Sequence, residues 1–527
     1  MRTIGPCVLA QHLGHRTQTN GDTRHGHSDV GHWPFLPCDG ILSGESAPPR
    51  DGVDGVQKPD ACGPIAGARQ IDRQGAVDRR SCCPVPRDVE ASGTPRLSRW
   101  HRAEPHRHNR RHEPGADEDR ATPWSGARNQ ERDQTVKNTI ENVKASALQT
   151  VEAIRPTLVR LSKRIHQHPE VKFEEHKASR WLSETAAEAG FRVEQPIGGL
   201  DTAFRASHAG KKEGPTVAYL AEYDALPKLG HACGHNLIGT ASLGAALALR
   251  SVVDDLGGSV QLIGTPGEEG GGGKVILAEA GVFDGVDAAL MFHPSPQTIL
   301  WKLALARRKL FIEFFGKAAH AASCPEKGIS ALDAVIQTFL SINALREHTV
   351  ETARIHGIIT DGGDAPNIVP DYAACLFYVR AMDDSYCDAL LEKVKDCARG
   401  AALATGARVE MEMQGAYRSL RTNLPLAQAF KENLEALGWT FANVDPAKGI
   451  GSTDMGNVSH VTPALHPYLS IGPEDLVVHS PEFAEAATSE QAFEAMMDAA
   501  KALAATGIDV LLKPGLREAM QEDFRSR

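Results

Sequence analysis

The chain has 527 residues and a formal net charge of −10, with 57 Lys and Arg against 67 Asp and Glu. That acidity excludes a surface built to hold a nucleic-acid backbone, and 41% apolar residues suffice for two or three packed domains. No run approaches the roughly 20 apolar residues of a membrane span, and Met1 to Asn20 lacks the apolar centre of a secretory signal.

Residues 1–133 read as a tail rather than a domain. The stretch is dense in Arg, His, Pro, Gly, Asp and Ser, has one lysine (Lys58), and shows no sustained apolar period. Such a composition cannot bury enough surface to offset the entropy of ordering it. Its 19 Lys and Arg nearly balance 18 Asp and Glu, leaving 38 against 49 in the remainder, so the acidity lies in the folded part. The Arg bias and the absence of methionine between Met1 and Met291 fit translation from upstream of a true start, with Val136 as a non-Met initiator; a real disordered extension fits equally. Five of the ten cysteines (Cys7, Cys38, Cys62, Cys82, Cys83) fall in this tail, and those beyond it show no disulfide-like spacing. A reducing cytoplasm is the expected compartment.

Beyond the tail, Ile154, Leu158, Leu161 and Ile165 recur at helical spacing, and the helix ends near His168-Pro169. A second helix runs from about Glu174 to Ala189 and stops at Gly190. Strands at Thr216–Ala221, Val260–Ile263 and Ala288–Phe292 alternate with helices at Leu237–Val253 and Lys274–Ala280. This alternation predicts an α/β domain, a mainly parallel sheet with helices on both faces. From about Leu303 the order becomes strand, helix, strand, strand, helix, strand: Lys309–Phe315, Ala331–Arg346, two strands flanking Pro370, Tyr386–Ala404 and one strand more. That is the split pattern of a ferredoxin-like α+β insert. The expected organisation is a catalytic domain in two segments, 137–304 and 424–515, around an insert at 305–423.

The segment Gly230-His231-Ala232-Cys233-Gly234-His235-Asn236 sets a thiol and an imidazole two residues apart just after an apolar strand. Glu268-Glu269, His293 and His479 follow near the ends of later apolar runs, where ligands gather in open α/β sheets. Singly, each reads as an ordinary residue: a buried Cys as a small hydrophobe, a His as a satisfied structural group, paired Glu as a solvated surface. Together, Cys233, His235, Glu269, His293 and His479 offer enough S, N and O donors for two divalent ions, with Glu268 left over as a base. Zinc suits the mixture best, and cobalt or manganese accept similar ones.

Read in order, Ala221-Glu222-Tyr223-Asp224-Ala225-Leu226-Pro227, Gly230 to Asn236, Gly264-Thr265-Pro266-Gly267-Glu268-Glu269 and His479-Ser480-Pro481-Glu482-Phe483 resemble the M20 metallopeptidase family. The Cys-Gly-His form resembles its amidohydrolase branch. Gly451-Ser452-Thr453-Asp454-Met455-Gly456-Asn457-Val458-Ser459 is similar to the aminobenzoyl-glutamate hydrolase and dipeptidase subgroup. The resemblance runs from about Val151 to about Leu512. It implies a dinuclear centre bridged by Cys233, an Asp224 that orients a ligand rather than binding metal, and an insert that serves as lid and homodimer contact. Gly316-Lys317-Ala318-Ala319-His320-Ala321-Ala322 resembles the family's lid motif, which implies that His320 reaches the substrate carbonyl, often from the neighbouring subunit. Asn367 and Arg380 look like its substrate-carboxylate holders; either could instead tie strands together, and Arg418 and Arg421 are further candidates.

Amide hydrolysis needs an activated water, a proton for the leaving nitrogen and positive charge facing the oxyanion. Glu268 is the expected base and Glu269 a ligand; both can serve only if the chain bends at Gly270 to Gly273, since neighbouring side chains of an extended segment point apart. The expected activity is metal-dependent hydrolysis of an N-acyl amino acid or small dipeptide bearing a free carboxylate. A protein that kept the fold and lost turnover is one rival, and a metal-independent hydrolase using Cys233 with a nearby His is another.

Overall fold

A computed structural model describes residues 124–527, with side chains described from Asn138 onward. The expected tail therefore lies outside the described residues up to position 123, including its five cysteines. Helix α1 (Trp124–Ala153) starts inside the stretch read as tail. Its buried residues Ile140, Ala147 and Val151 lie seven and four apart, a spacing that keeps them on one side.

Pro156 sits in the first turn of α2 (Arg155–His166), where a missing N–H costs nothing, and the helix buries Leu158, Leu161 and Ile165. Helix α3 (His176–Glu188) follows, then β1 (Arg192–Glu194), β2 (Phe204–Ala209) and β3 (Thr216–Ala221). Helix α4 (His235–Leu256) is long and apolar enough to cross a membrane by length and composition alone, a run that its sequence did not make conspicuous; most of it is buried in the protein. It lies against β3 and the later helix α11 (Glu490–Leu512), which is why apolar residues surround it. At Gly239 a Cβ would come 2.7 Å from the Glu222 carbonyl oxygen, so the close approach of α4 to the end of β3 requires glycine.

The chain continues through β4 (Ser259–Gly264), α5 (Gly273–Glu279), β5 (Ala288–Leu290) and β6 (His293–Ser295). After the insert come α8 (Leu424–Glu435), α9 (Met455–Ser459), β11 (Ala464–Leu465), β12 (Tyr468–Ser470), α10 (Pro481–Ala486), α11 and α12 (Pro514–Arg525). The large sheet has the order β1-β2-β4-β3-β5-β11. Its β4-β3, β3-β5 and β5-β11 pairs are parallel, while β1 and β2 form an antiparallel edge. Val217, Tyr219, Val260 and Leu262 face α4 and α11. Ala218, Leu220, Ile263 and Met291 face the other way, onto Leu277 of α5 and Met455 and Val458 of α9. Helices thus cover both faces. Residues 464–465 complete a sheet begun before the insert, and β12 pairs in parallel with β6.

The insert holds β7 (Ala306–Phe315), α6 (Ala331–Leu345), β8 (Arg354–Asp361), β9 (Tyr372–Ala381), α7 (Asp384–Thr405) and β10 (Arg408–Tyr417). Its sheet, β10-β7-β9-β8, is antiparallel throughout. Ala306, Leu310, Ile312 and Phe314 alternate inward onto the two helices, leaving the opposite face of the sheet uncovered by them. Ser330 and Asp383 cap α6 and α7 by accepting from Asp333 N and Tyr386 N.

Candidate metal centre

The donors collect where the strands of the large sheet end. Beyond β3 the chain places Glu222 and Asp224, then Cys233 ahead of α4 and His235 at its first position. The turn after β4 carries Glu268 and Glu269, and Gly270 and Gly272 take φ of 79° and 75°, the left-handed bend that lets the two carboxylates diverge. His293 opens β6. His479 has φ of 67°, uncommon for a residue with a Cβ, and its N–H donates to Ala232 O at 3.0 Å. That bond fixes it beside Cys233.

Ligand atoms of Cys233, His235 and His293 lie within 4.8 Å of one another; so do those of Cys233, Glu269 and His479, and those of His235, Glu268 and Glu269. Cys233, His235 and Glu269 each belong to two of these groups. The His235 Nδ1–H donates to Asp224 Oδ1 at 2.8 Å, which turns Nε2 into the cluster. The second Asp224 oxygen accepts from Glu269 N at 2.8 Å, so one carboxylate orients two donors. The His293 Nδ1–H donates to Pro294 O at 2.6 Å, presenting Nε2 to Cys233 Sγ at 3.5 Å. Buried His235 Nε2 and Glu269 Oε1 find no hydrogen-bond partner, although Glu222 and His479 stand 3.4 and 3.3 Å from them. Orphaned buried polar atoms of this kind need a partner, and a set of thiol, imidazole and carboxylate converging on them fits divalent metal ions.

Burial sets the protonation of the site. It pushes the His293 imidazole down to about 4, keeping the neutral form that ligates metals. It pushes the Cys233 thiol up despite the opposing pull of His235. Glu268 is raised well above the usual carboxylate range by burial, and then by the charges of Glu222, Asp454 and Glu269.

A cavity of about 310 Å³ opens onto the cluster, lined by Cys233, Glu268, Glu269, His293 and His479 on one side and by Lys302, Ser452 and Thr453 on another. A larger surface hollow of about 910 Å³, bordered by Asp287, Arg517 and Glu518, holds none of these donors.

The lid candidates lie apart from the cavity. His320 is exposed, and its Nδ1 accepts from Ala322 N and Ser323 N, both at 3.2 Å. Asn367 is its neighbour, with its carbonyl accepting from Ala321 N at 3.0 Å. Arg380 stands on β9 opposite Arg307 of β7, and its buried Nε has no hydrogen-bond partner. Arg418 and Arg421 contribute main-chain N–H groups, to Asn457 Oδ1 at 2.9 Å and Ser459 Oγ at 3.0 Å, and neither lines the cavity.

Sequence reasoning missed a buried charge cluster behind the donors. The Lys274 ammonium is 2.6 Å from Glu222 Oε1 and 2.8 Å from Asp454 Oδ1, and all three side chains are buried. Burial would raise Glu222, but Lys274 and His235 outweigh it and hold it down at about 2. The available signal was weak: a lysine at the head of the apolar run Val275-Ile276-Leu277-Ala278, directly after the glycines that follow Glu269. Tyr417, the last residue of β10, donates its hydroxyl to Glu268 O at 2.9 Å and so ties the lid's exit strand to the Glu268 turn.

Residues 218–506 match the model of peptidase family M20/M25/M40. A Mus musculus protein described as Xaa-Arg dipeptidase is 40% identical over 403 residues, covering 74% of this chain and 93% of that protein. A p-aminobenzoyl-glutamate hydrolase chain of Escherichia coli (strain K12) is 38% identical over 331 residues, covering 58% of this chain and 68% of that one. Among solved structures, a putative aminohydrolase from methicillin-resistant Staphylococcus aureus superposes with a TM-score of 0.59 at 21% identity, over 70% of this chain and all of that one. A Bacillus subtilis dinuclear metal-binding peptidase of the M20 family does so with 0.54 at 23%, over 69% and 99%. Fold, donor cluster and relatives together define a hydrolase of the metallopeptidase type. The chain belongs to peptidase family M20/M25/M40.

Proposed function

We propose that this enzyme hydrolyses the amide bond of N-acyl amino acids or small dipeptides that carry a free carboxylate, with Glu268 as general base. The observation that carries the reading is the position of Glu268: it shares one donor group with His235 and Glu269 and lines the same cavity as Cys233, His293 and His479. The substrate class is supported by relatives described as a dipeptidase and as a p-aminobenzoyl-glutamate hydrolase.

Cys233, His235, Glu269, His293 and His479 would hold two divalent ions, zinc first, with cobalt and manganese as alternatives. Cys233, His235 and Glu269 each belong to two donor groups, and the Cys-Gly-His resemblance favours Cys233 among them as the residue that would be shared by the two ions. When bound, the ions supply Lewis-acid activation of water and of the scissile carbonyl. Glu268 takes the proton from the attacking water and returns it to the leaving nitrogen. Asp224 holds His235 and the Glu269 main chain in place during this exchange. Burial keeps the Cys233 thiol protonated in the absence of metal, which speaks against a free cysteine nucleophile.

The lid supplies the rest from a second copy of the chain. Strand β8 is an edge of its sheet and exposes Ile358 and Ile359, while α6 exposes Ile336 and Leu340, apolar groups suited to a homodimer contact. Exposed His320, with Asn367 and Arg380, would then serve the cavity of the other copy, His320 at the oxyanion and the other two at the substrate carboxylate. The free thiols Cys233, Cys324, Cys375, Cys387 and Cys397 are in keeping with a reducing cytoplasm.

The test is amide hydrolysis by the full-length protein loaded with zinc, cobalt or manganese, before and after chelation, beside Glu268→Ala. Turnover that requires metal and Glu268 is expected. Activity that survives chelation would replace the reading with a cysteine hydrolase, and tight binding of two ions without turnover of any amide would replace it with a binding role.

A further inference from the structure

Among the described residues, Lys302 is the only lysine or arginine lining the cavity that contains the metal-type donors. Its ammonium forms no ion pair with a carboxylate among those residues, and burial alone, with no acid opposing it, pulls its affinity for a proton below that of an ordinary lysine. It lies 5.4 Å over the ring of Tyr468, which packs 5.7 Å from His293 and shares a hydrogen bond with His466 Nδ1 at 3.3 Å. One aromatic ring therefore separates this cation from a metal-type ligand. Ser452 lines the same cavity, and its buried Oγ has no hydrogen-bond partner. The two walls are tied to each other: Leu303 N donates to Pro446 O at 3.0 Å and Leu305 N to Gly451 O at 2.8 Å. The main-chain segments that carry the cation and the hydroxyl are thus joined before any ligand arrives, which limits the ordering that binding must supply.

We propose that Lys302, with Ser452 of the same cavity, binds a carboxylate on the acyl half of the substrate, so that among the substrates proposed above this enzyme favours dicarboxylic acyl groups joined to an amino acid over dipeptides with a free N-terminal ammonium. The inference rests on the proposed function, which assigns the amine-side carboxylate to Asn367 and Arg380 of the lid. Those two groups would reach the cavity from the other copy, whereas Lys302 belongs to this chain's own wall of it, which leaves Lys302 for a second carboxylate, on the acyl half. A carboxylate there gains a charge-assisted contact in a partly desolvated site. An ammonium there meets a like charge. The competing account, in which Lys302 merely covers the Tyr468 ring with its stem and charge, implies no preference among acyl groups.

The experiment uses the full-length, metal-loaded protein and three derivatives of one amino acid: N-succinyl, N-acetyl and N-glycyl. Wild-type kcat/KM is expected to fall in that order. Lys302→Met should reduce the succinyl-to-acetyl ratio of kcat/KM by about 10- to 100-fold, the scale of one hydrogen bond to a charged group, chiefly through KM. Lys302→Glu should reverse the order of succinyl and glycyl compounds. Ratios unchanged in both variants, or a wild type that prefers the glycyl compound, would overturn the inference. Calorimetric binding of the succinyl compound to wild type and Lys302→Met separates this inference from the reading beneath it. If the wild type turned over none of the three, the amidohydrolase reading would fail, while loss of succinyl binding in the variant would still uphold Lys302 as the carboxylate seat and equal binding would reject it.

Discussion

Lys274 contacts Asp454 twice: its ammonium lies 2.8 Å from Oδ1 and its main-chain N–H donates to Oδ2 at 3.0 Å. The same ammonium reaches Glu222 at 2.6 Å, so one side chain joins the end of β3, the start of α5 and the start of α9. Removing one partner of a buried pair leaves an uncompensated charge, at a cost of about 3–5 kcal/mol. Lys274→Met is expected to lower stability by that amount in chemical denaturation. Adding Asp454→Asn to it should recover part of the loss, because the two changes act on one cluster. A loss below about 1 kcal/mol in the single variant would mean that the cluster does not hold these elements together.

Glu268→Gln keeps the size of the side chain and removes its proton affinity. Turnover is expected to fall by about 10²–10⁴-fold, the contribution of a positioned acid or base, with metal stoichiometry unchanged by elemental analysis. Retained turnover would move the base to another residue of the cavity.

Asp224 accepts from both the His235 ring and the Glu269 main chain, and an asparagine can accept at only one of its two ends. Asp224→Asn should weaken metal binding by about 10- to 100-fold, as outer partners of ligands usually do. Competition against a chromogenic chelator reads this directly. An unchanged affinity would show that packing, not Asp224, orients His235.

Glu175 is buried in the wall behind the site, where its Oε1 accepts from Gly267 N at 2.8 Å and its Oε2 from Thr202 Oγ1 at 3.0 Å. Burial, and then the charge of Asp224, raise it to about 7 from an ordinary value of 4.5. The folded state thus holds this proton more tightly than the unfolded chain. Its contribution to stability is fully present below pH 4.5 and is lost as the pH rises towards 7. In Glu175→Gln the amide oxygen can accept from Gly267 while the NH₂ donates to the Thr202 hydroxyl, so both contacts survive without a titrating group. The variant is expected to gain roughly 1–3 kcal/mol over wild type between pH 5 and pH 8 in paired denaturation curves. Parallel curves would place the Glu175 proton affinity at its ordinary value.

The parts of the fold that follow from periodicity were readable in the chain. Strands Thr216–Ala221 and Ser259–Gly264 are short apolar runs between glycine- or proline-bearing turns, and the six elements of the insert each show their own period. The antiparallel edge formed by β1 and β2 was not readable, since Arg192–Glu194 is only three residues long and half exposed. Helix α1 was obscured because its N-terminal part shares the polar composition of the tail. Cys233, His235, Glu268, Glu269, His293 and His479 could be gathered from order and spacing; the structure places five of them on one cavity and the sixth, His235, fully buried with its ligand atom within 4.8 Å of four of them. Lys274 and Tyr417 were missed, because what they do depends on contacts with residues 180 and 149 positions away, and the lysine's place beside an apolar run marks it as unusual without naming its partners. His320, Asn367 and Arg380 were singled out by motif, and the structure places all three off the cavity of their own chain.

The large sheet is finished by β11, the small sheet begun by β6 is finished by β12, and the donor set by His479, all of which follow the insert in the chain. During synthesis, more than a hundred residues of lid must leave the ribosome between β6 and the strands that pair with β5 and β6. Until then β5 has an open edge, and the Cys233, His235 and His293 side chains wait without their last companion. Such long-range pairing forms late and slowly. A centre that uses His479 would therefore be filled only after the chain has passed the insert, and metal content would report whether the second segment has joined the first.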